Sequence, residues 1–402
     1  MPRRIKIVCS SDVLGAEAAF ASLGELEVLR PDQLTAEAVR DADALVVRST
    51  VRVDEKLLAG SRVRFVGTAT AGFDHLAIGY LRRRGIRWTA ARGCNREAVA
   101  DYVVAAYLQS GVASGMMRGR RVRPTVAVIG RGHTGRAVMR RLARMRIRVL
   151  ANDPPRARRG EKGLVTLAEA LRRADVVTLH VPLTLRGRDA TLRMVNDSFL
   201  RNAPRCRLII NTSRGWIVDP ELGRRNRSVE FVMDVWWWEN RILFCPGSEI
   251  VLPPICLASP HLAGRTLEGM YAGTLRIYRR LCRFLGVEPR WRPPQLEAPD
   301  PIVIDGRGLS GMEAARQVTA RVLDLHAISR PFMKMAGEAP LKADDSFLRQ
   351  YDTWRRIWSQ PRREFSAYVV EGRNLSGEAV AWLQAAGFEV NPWSGCLRVS
   401  CG

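Results

Sequence analysis

The chain has 402 residues, 47% hydrophobic and 26% charged, a balance that is typical of folded globular proteins and excludes intrinsic disorder. Lysine and arginine number 64 against 40 aspartates and glutamates, a net charge of +24, and only five of the basic residues are lysines. Short arginine clusters recur along the whole chain, whereas a nucleic-acid-binding tail would form one continuous basic block. These counts favour a compositional bias towards arginine over binding of nucleic acid.

The eight cysteines form no Cys-x-x-Cys pair and no histidine-spaced pattern typical of a metal site. We therefore predict neither a disulfide framework nor a bound metal. Residues 1–4 lead directly into a strand-like segment instead of a secretory signal, and no apolar run has the length of a membrane span. We expect a cytoplasmic protein with reduced thiols and no membrane partner.

In chain order, short apolar runs alternate with longer helical stretches as far as about residue 287. This alternation predicts an α/β fold with doubly wound parallel sheets. The predicted strands are 5–9, 44–47, 64–67, 125–129, 148–151, 176–180, 208–211, 231–235 and 255–258, and the helical stretches include 96–113, 135–145 and 167–173. Five prolines between 289 and 301 then mark a linker, and the rest of the chain predicts a separate α+β unit with a helix at 311–326 and a strand at 366–370.

A glycine-rich loop follows the predicted strand 125–129 and precedes a helical stretch. In the dinucleotide-binding fingerprint, the first glycine allows a tight turn, the second lets the backbone approach a pyrophosphate, and the third lets helix and strand pack closely. The glycines that match these positions are Gly130, Gly132 and Gly135. Asp153 follows the next strand, where it can accept a hydrogen bond from a ribose 2′-hydroxyl, so NAD is predicted. Arg156 leaves NADP open, because a guanidinium there could bind a 2′-phosphate.

Three polar residues follow later predicted strands, at the sheet edge where α/β proteins bind ligands. Arg214 can bind a substrate carboxylate through two parallel hydrogen bonds and polarise the forming carbonyl. His261 can remove the proton of a hydroxyl group, and Glu239 can hold the imidazole in one tautomer and raise its pKa. Each residue alone is more often an ordinary surface or loop residue. Their order behind the dinucleotide fingerprint instead predicts oxidation of a 2-hydroxy acid.

The motifs at 65–75, 93–95, 152–157 and 260–269 extend this pattern. With them the chain resembles the D-isomer-specific 2-hydroxyacid dehydrogenases, and among these the erythronate-4-phosphate dehydrogenases, from residue 5 to about residue 390. The resemblance implies NAD-dependent oxidation of 4-phospho-D-erythronate to 2-oxo-3-hydroxy-4-phosphobutanoate in pyridoxal 5′-phosphate biosynthesis. It also implies two Rossmann-like domains, a discontinuous flavodoxin-like substrate-binding domain (1–95 and 262–288) and an NAD-binding domain (96–261). A C-terminal α+β domain (289–402) would form a homodimer.

The resemblance assigns roles to individual residues. Catalysis would depend on Arg214, Glu239 and His261, and the substrate would contact Ser49, Thr70 and Arg265. The implied cofactor contacts are Gly130, Gly132, His133, Thr134, Gly135, Asp153, Thr212, Ser213, Arg214, Asp234 and Gly264.

The chain departs from the family pattern mainly before Glu239. Three consecutive tryptophans, Trp236, Trp237 and Trp238, stand where the family usually has one, and the lengths of the neighbouring segments differ. These changes leave alternatives open. The chain could be another D-2-hydroxyacid dehydrogenase, such as one acting on phosphoglycerate. It could also be an NAD-sensing regulator or an inactive paralogue on the same scaffold. Residues 393–402 match no motif from which we predict a structure or a function.

Overall fold

A computed structural model describes residues 4–112, 115, 124–226, 228–240, 243–244, 250–338, 345–358 and 360–392. The chain forms two compact units, Met1–Arg96 with Thr266–Glu297, and Glu97–Arg265 with Ala298–Gly402. The unexplained tail 393–402 lies outside the described residues. No helix within the described ranges is long and apolar enough to cross a membrane.

Fourteen strands and thirteen α-helices are present among the described residues. The strands are β1 Lys6–Ser10, β2 Glu25–Leu29, β3 Ala44–Val47, β4 Phe65–Thr68, β5 Arg87–Ala90, β6 Thr125–Ile129, β7 Arg148–Asn152, β8 Val176–Leu179, β9 Leu208–Asn211, β10 Glu230–Met233, β11 Ile255–Ala258, β12 Ile302–Asp305, β13 Val369–Arg373 and β14 Glu389–Pro392. The helices are α1 Ala16–Phe20, α2 Glu55–Leu58, α3 Ile78–Arg83, α4 Arg96–Gln109, α5 His133–Arg144, α6 Pro154–Ala157, α7 Leu167–Arg173, α8 Asp197–Arg201, α9 Leu267–Leu285, α10 Gly311–Val322, α11 Leu325–Glu338, α12 Asp345–Trp358 and α13 Gly377–Ala386.

The first unit is a five-stranded parallel sheet in the order β2-β1-β3-β4-β5. Helix α9 returns to this sheet late in the chain, and Ile277 and Leu281 of α9 are buried against the apolar side chains of β1, β3 and β4. Gly67 allows this close packing, since a Cβ atom there would lie 2.4 Å from Cγ2 of Ile277. The segment 266–297 therefore belongs with the N-terminal sheet.

The second unit contains a six-stranded parallel sheet in the order β11-β10-β9-β8-β6-β7 and a three-stranded parallel sheet in the order β12-β13-β14. Helix α4 is buried along most of its length, and α13 packs against α5 and α10. Leu323, Phe365 and Trp382 share one apolar core with Val128 and Leu142 of the six-stranded sheet layer. The sequence predicts a separate unit at 289–402, whereas from residue 298 the described C-terminal segment is packed into this unit. The three-domain division with a dimerisation role stays a prediction.

The predicted α/β fold is confirmed, and all nine predicted strands of the two larger sheets are present with small shifts at their ends. Four further strands, β2, β5, β12 and β14, were not predicted. Each of them is an edge strand of its sheet and contains at least one charged residue. None therefore has the continuous apolar sequence from which the other strands are predicted. The helix predicted at 311–326 is broken after Val322 and continues as α11.

Candidate active site

The glycine-rich loop after β6 has a backbone geometry that requires glycine at two of its three glycine positions. Gly130 has φ +96°, and a Cβ atom there would lie 2.4 Å from the His180 carbonyl oxygen. A Cβ atom on Gly135 would lie 1.9 Å from the Gly130 carbonyl oxygen, so this glycine lets α5 pack onto the loop. At Gly132, by contrast, nothing described lies within 4 Å of a Cβ position. The loop is therefore closed on two sides and open at its middle glycine, where α5 begins with His133 and Thr134.

Asp153 lies directly after β7, beside this loop. Its Oδ2 accepts a hydrogen bond of 2.8 Å from the Arg131 backbone N–H, and its Oδ1 accepts one of 3.1 Å from the Arg156 backbone N–H. Nε of Arg156 lies 3.5 Å from Asp153 Oδ2. Asp153, the predicted acceptor for the ribose 2′-hydroxyl, is thus held beside the glycine-rich loop. Arg156, whose guanidinium could instead bind the 2′-phosphate of NADP, forms an ion pair with it.

The turn after β9 brings three predicted residues to the same carboxyl edge of the sheet. The Ser213 hydroxyl donates a 2.6 Å hydrogen bond to the Leu179 carbonyl, which ties the turn to β8. The Thr212 hydroxyl is buried without a hydrogen-bond partner among the described residues. A buried hydroxyl of this kind, at the same carboxyl edge of the sheet as the glycine-rich loop and Asp153, fits the polar groups of a dinucleotide. These residues therefore match the requirements of an NAD site.

Arg214 is positioned by the backbone on both sides of it. Its Nη1 donates a 2.6 Å hydrogen bond to the Ser213 carbonyl, and its own carbonyl accepts one of 2.9 Å from Asn211 Nδ2. A Cβ atom on the next residue, Gly215, would lie 2.2 Å from the carbonyl carbon of Trp236. Glycine at 215 thus lets the arginine turn pack directly on the backbone of the tryptophan loop, Trp236–Asn240.

The three tryptophans of the tryptophan loop are core residues, each at most 1% exposed. The indole N–H of Trp236 donates to the Ser259 carbonyl at 2.9 Å, and that of Trp237 donates to the Val218 carbonyl at 2.8 Å. Trp238 stacks on Trp236 with ring centroids 4.9 Å apart, but its own N–H is unpaired among the described residues. The extra bulk therefore anchors the loop in the apolar core ahead of Glu239.

Glu239 and His261 form a hydrogen-bonded pair. Glu239 Oε2 lies 2.9 Å from His261 Nδ1, so the carboxylate can accept a hydrogen bond from Nδ1–H and leave the Nε2 lone pair for a substrate. His261 has φ +57°, a strained value for a residue other than glycine. Burial acts to raise the pKa of Glu239, but His261, Arg355 and Tyr351 together lower it. The pair thus has the geometry of a general base with its orienting carboxylate.

Asp234 holds the loop that carries His261, residues 259–265, which we call the histidine loop. Its carboxylate accepts hydrogen bonds from the backbone N–H groups of Leu262 and Ala263 at 2.8 and 3.1 Å and from the Ser259 hydroxyl at 2.6 Å. Its backbone carbonyl accepts from the His261 N–H at 2.7 Å. Burial raises the pKa of Asp234 to about 6, although His261 and Ser259 act to lower it. The predicted cofactor contact of Asp234 stays a prediction; in the structure this carboxylate organises the histidine loop.

The sequence reasoning missed one residue of this site. The Tyr351 hydroxyl, on helix α12, donates a hydrogen bond to Glu239 Oε1 across 112 positions of sequence. No local motif marks this tyrosine, since its contact exists only once α12 has packed on the tryptophan loop.

The remaining predicted residues lie as follows. Gly264 and Arg265 end the histidine loop, and the Arg265 carbonyl accepts a hydrogen bond of 3.3 Å from the Arg362 N–H. Ser49 and Thr70 belong to the first unit, where each lies two residues beyond the end of a strand, β3 and β4 respectively. The Thr70 hydroxyl lies 2.8 Å from that of Thr68 and donates to the Gly72 carbonyl at 2.9 Å. The roles of these residues in binding substrate stay predictions.

Comparison with known proteins identifies the family. The family model described as D-isomer specific 2-hydroxyacid dehydrogenase, NAD binding domain, matches residues 104–263. The erythronate-4-phosphate dehydrogenase of Marinobacter nauticus is 40% identical over 395 residues, which cover 96% of this chain and 99% of that protein. The enzyme of the same name from Pseudomonas putida is 38% identical, over 93% of this chain and 96% of its own. That of Edwardsiella ictaluri is 36% identical, over 88% and 93%.

Solved structures agree on the fold. NAD-bound 3-phosphoglycerate dehydrogenase of Entamoeba histolytica matches with a TM-score of 0.56 at 21% identity, over 70% of this chain and 96% of its own. D-lactate dehydrogenase of Aquifex aeolicus matches with a TM-score of 0.51 at 20% identity, over 70% and 95%. At such identities these structures establish the fold alone. With the sequence relatives, they lead to one conclusion: the chain belongs to the erythronate-4-phosphate dehydrogenase family and is an NAD-dependent oxidoreductase of the D-isomer-specific 2-hydroxyacid dehydrogenase type.

Proposed function

We propose that the protein oxidises 4-phospho-D-erythronate to 2-oxo-3-hydroxy-4-phosphobutanoate, a step of pyridoxal 5′-phosphate biosynthesis. The observation that supports this activity most directly is the Glu239–His261 pair, whose contact of 2.9 Å is intact behind the unusual tryptophans. An inactive paralogue would not be expected to keep a strained histidine in register with a partly buried carboxylate.

In this mechanism His261 is the general base. Neutral imidazole accepts the proton of the C2 hydroxyl at Nε2, while Nδ1 keeps its hydrogen bond to Glu239. The Glu239 carboxylate stabilises the imidazolium that forms and fixes the orientation of the ring. NAD, when bound, supplies the acceptor for the hydride that leaves C2. Loss of one proton and one hydride converts the C2 alcohol into the 2-oxo group.

Arg214 binds the substrate carboxylate and the developing carbonyl. A guanidinium offers a planar fork of donors that matches a carboxylate, and the Ser213 carbonyl at 2.6 Å from Nη1 fixes the plane of that fork. Ser49, Thr70 and Arg265 are proposed to contact the substrate as well. The Arg265 guanidinium has the charge that a phosphate requires. The Ser49 hydroxyl can donate a hydrogen bond to the substrate, and the Thr70 hydroxyl, which donates to the Gly72 carbonyl, can accept one from a substrate hydroxyl.

The test of this function is formation of NADH by the purified protein. We expect kcat/KM with 4-phospho-D-erythronate to exceed that with 3-phosphoglycerate and D-lactate by at least about 100-fold. The phosphate of 3-phosphoglycerate is one carbon closer to the reacting C2 and would be displaced from the same donors, and D-lactate has no phosphate to bind. Preferred turnover of 3-phosphoglycerate would instead favour the phosphoglycerate-type alternative. Tight NADH binding without turnover of any of the three acids would favour a regulatory or inactive protein.

The proposed assembly is a homodimer formed through the C-terminal segment. Two apolar side chains there are solvent-exposed, Val303 on edge strand β12 at 56% and Ile357 on α12 at 63%. Val303→Asp should therefore shift sedimentation towards the monomer, whereas Leu185→Asp, at an exposed site in the other part of the unit, should not. Equal behaviour of both variants would exclude β12 from the interface. A cytoplasmic location stays a prediction.

A further inference from the structure

The two carboxylate oxygens of Glu239 have different partners. Oε2 faces His261 Nδ1 at 2.9 Å, and Oε1 accepts the hydrogen bond of the Tyr351 hydroxyl. We propose that Tyr351 is a positioning residue for catalysis, which holds the carboxylate so that Oε2 remains aligned with the histidine. This inference rests on the proposed general-base role of His261.

The tyrosine ring is itself held rigidly. Tyr351 is 3% exposed, and its ring packs edge-on against Trp238, with centroids 5.8 Å apart, and at a tilt against Phe332 at 6.2 Å. Phe332 in turn packs on Trp236 at 5.0 Å. The hydroxyl is therefore placed by aromatic contacts from α11, α12 and the tryptophan loop. This gives the unusual tryptophans a function: they dock the helix that supplies the second partner of Glu239.

Charged groups around the pair determine how removal of the hydroxyl would act. Glu239 is faced by His261, Tyr351 and Arg355, and His261 is also close to Asp234. A hydroxyl that donates to a carboxylate disperses its charge and favours ionisation. Without it, the negative charge concentrates on Oε2 and attracts the imidazole proton more strongly. The imidazolium form then persists to higher pH, and less neutral base is present at a given pH.

The test is Tyr351→Phe, which keeps the ring and removes only the hydroxyl. We expect kcat to fall about 10-fold and the acidic limb of the kcat/KM profile to move upward by about half a pH unit. NADH affinity should be unchanged, since Tyr351 contacts the carboxylate and not the glycine-rich loop. NMR titration of the His261 imidazole should show the same upward shift without any substrate.

Phe347→Leu is the matched control. Phe347 lies on the same helix and packs edge-on against Trp238 at 5.2 Å, but it has no hydroxyl. This variant should lower the melting temperature and leave the acidic limb and the His261 titration in place. An unchanged His261 titration in Tyr351→Phe would overturn the positioning role. A wild-type protein that fails to oxidise 4-phosphoerythronate would refute the proposed function instead, and the titration would still decide the role of Tyr351.

A second feature concerns the choice between NAD and NADP. Three guanidiniums surround Glu161 beside Asp153: Arg136 pairs with Oε1, Arg156 Nη1 lies 3.0 Å from Oε2, and Arg131 Nε lies 3.9 Å from Oε1. Arg156 also reaches Asp153, with its Nε 3.5 Å from Oδ2. The guanidiniums that could bind a 2′-phosphate beside Asp153 are therefore already paired with the carboxylates of Glu161 and Asp153.

We infer that Glu161 determines specificity for NAD by occupying these arginines. A 2′-phosphate would have to displace the Glu161 carboxylate from the guanidiniums that could bind it, and would also approach Asp153. Hydrogen bonding to Arg156 is the main cause that lowers the pKa of Glu161, which reflects how closely the guanidinium and the carboxylate are paired. The neighbouring Arg131 is held further by its 2.6 Å hydrogen bond to the Lys162 carbonyl.

This inference can be tested without substrate. The dissociation constants of NADH and NADPH for Glu161→Gln are measured from the quenching of tryptophan fluorescence. We expect the ratio of the two dissociation constants to shift about 10-fold towards NADPH, because one repelling charge is removed and three donors are released. Glu169→Gln is the control, since Glu169 pairs with Arg173 within helix α7, and its ratio should equal that of the wild type. An unchanged ratio in Glu161→Gln would show that Asp153 alone excludes the 2′-phosphate.

Discussion

Two loops at the carboxyl edge of the six-stranded sheet differ in how they are built. The glycine-rich loop after β6 is defined by contacts with its immediate neighbours β7 and β8, such as the approach of Gly130 to the His180 carbonyl. The tryptophan loop after β10 is held by Val218, Ser259 and the distant residues Phe332 and Tyr351. One added Cβ atom in the glycine-rich loop is thus enough to disturb the proposed cofactor site. The position of the Glu239 carboxylate depends instead on packing across the whole unit. Variants in each loop should separate cofactor binding from catalysis.

The largest expected effect is that of His261→Ala. Removal of the general base should lower kcat by about 10³–10⁴-fold, because no other group replaces the lost proton acceptor. The dissociation constant of NADH should change less than about threefold, since His261 follows β11, which three strands separate from β6 and its glycine-rich loop. Stopped-flow kinetics and fluorescence titration measure the two quantities. Loss of NADH binding together with activity would mean that the two loops are not separable.

Arg214→Lys should have the next largest effect. Lysine keeps the positive charge but lacks the planar fork, so kcat/KM should fall by about 10²–10³-fold with most of the loss in binding of the acid. Arg205→Lys is a useful control, because Arg205 forms an ion pair with Asp175 at 3.0 Å in the same unit and should tolerate the change. Near-normal kinetics of Arg214→Lys would refute the carboxylate-binding role. The measurement is a steady-state comparison over a range of 4-phosphoerythronate concentrations.

Gly135→Ala should weaken NADH binding and leave the Glu239–His261 pair intact, which is the reverse of the effect expected of His261→Ala. The added Cβ atom would lie 1.9 Å from the Gly130 carbonyl oxygen, so α5 has to move away from the loop. We expect the free energy of unfolding to fall by about 2–3 kcal/mol and NADH to bind at least about tenfold more weakly. The His261 titration should remain that of the wild type. Gly377→Ala, where a Cβ atom would meet nothing within 4 Å, should be neutral in urea unfolding.

This comparison also explains what could be predicted from the sequence. The close backbone approaches at Gly130 and Gly135 follow from sterics within a few residues, so the spacing of the glycines is sufficient to predict them, whereas their roles in binding NAD stay predictions. The Glu239–His261 contact was predicted from chain order behind the fingerprint, although not its geometry. Tyr351 was missed because a contact over 112 positions leaves no local pattern. The edge strands were missed for a different reason, since partly exposed strands with charged residues lack the apolar runs that mark central ones.

The smallest predicted effect is the difference between Trp236→Phe and Trp238→Phe. Both indoles are 1% exposed and stack on each other, so the two substitutions remove similar volumes from one core. They differ in hydrogen bonding, because the Trp236 N–H donates to the Ser259 carbonyl whereas the Trp238 N–H has no partner among the described residues. Trp236→Phe should therefore destabilise the protein by about 1–2 kcal/mol more than Trp238→Phe.

Urea unfolding followed by circular dichroism measures this difference directly, and the volume change common to both variants cancels. Trp236→Phe should also lower kcat slightly, since Ser259 bonds to Asp234 and begins the loop that carries His261. Equal stabilities of the two variants would show that the Ser259 hydrogen bond contributes nothing net. In that case the Trp236 side chain would hold the tryptophan loop through aromatic packing alone, and the register of His261 would depend on Asp234 without help from the indole N–H.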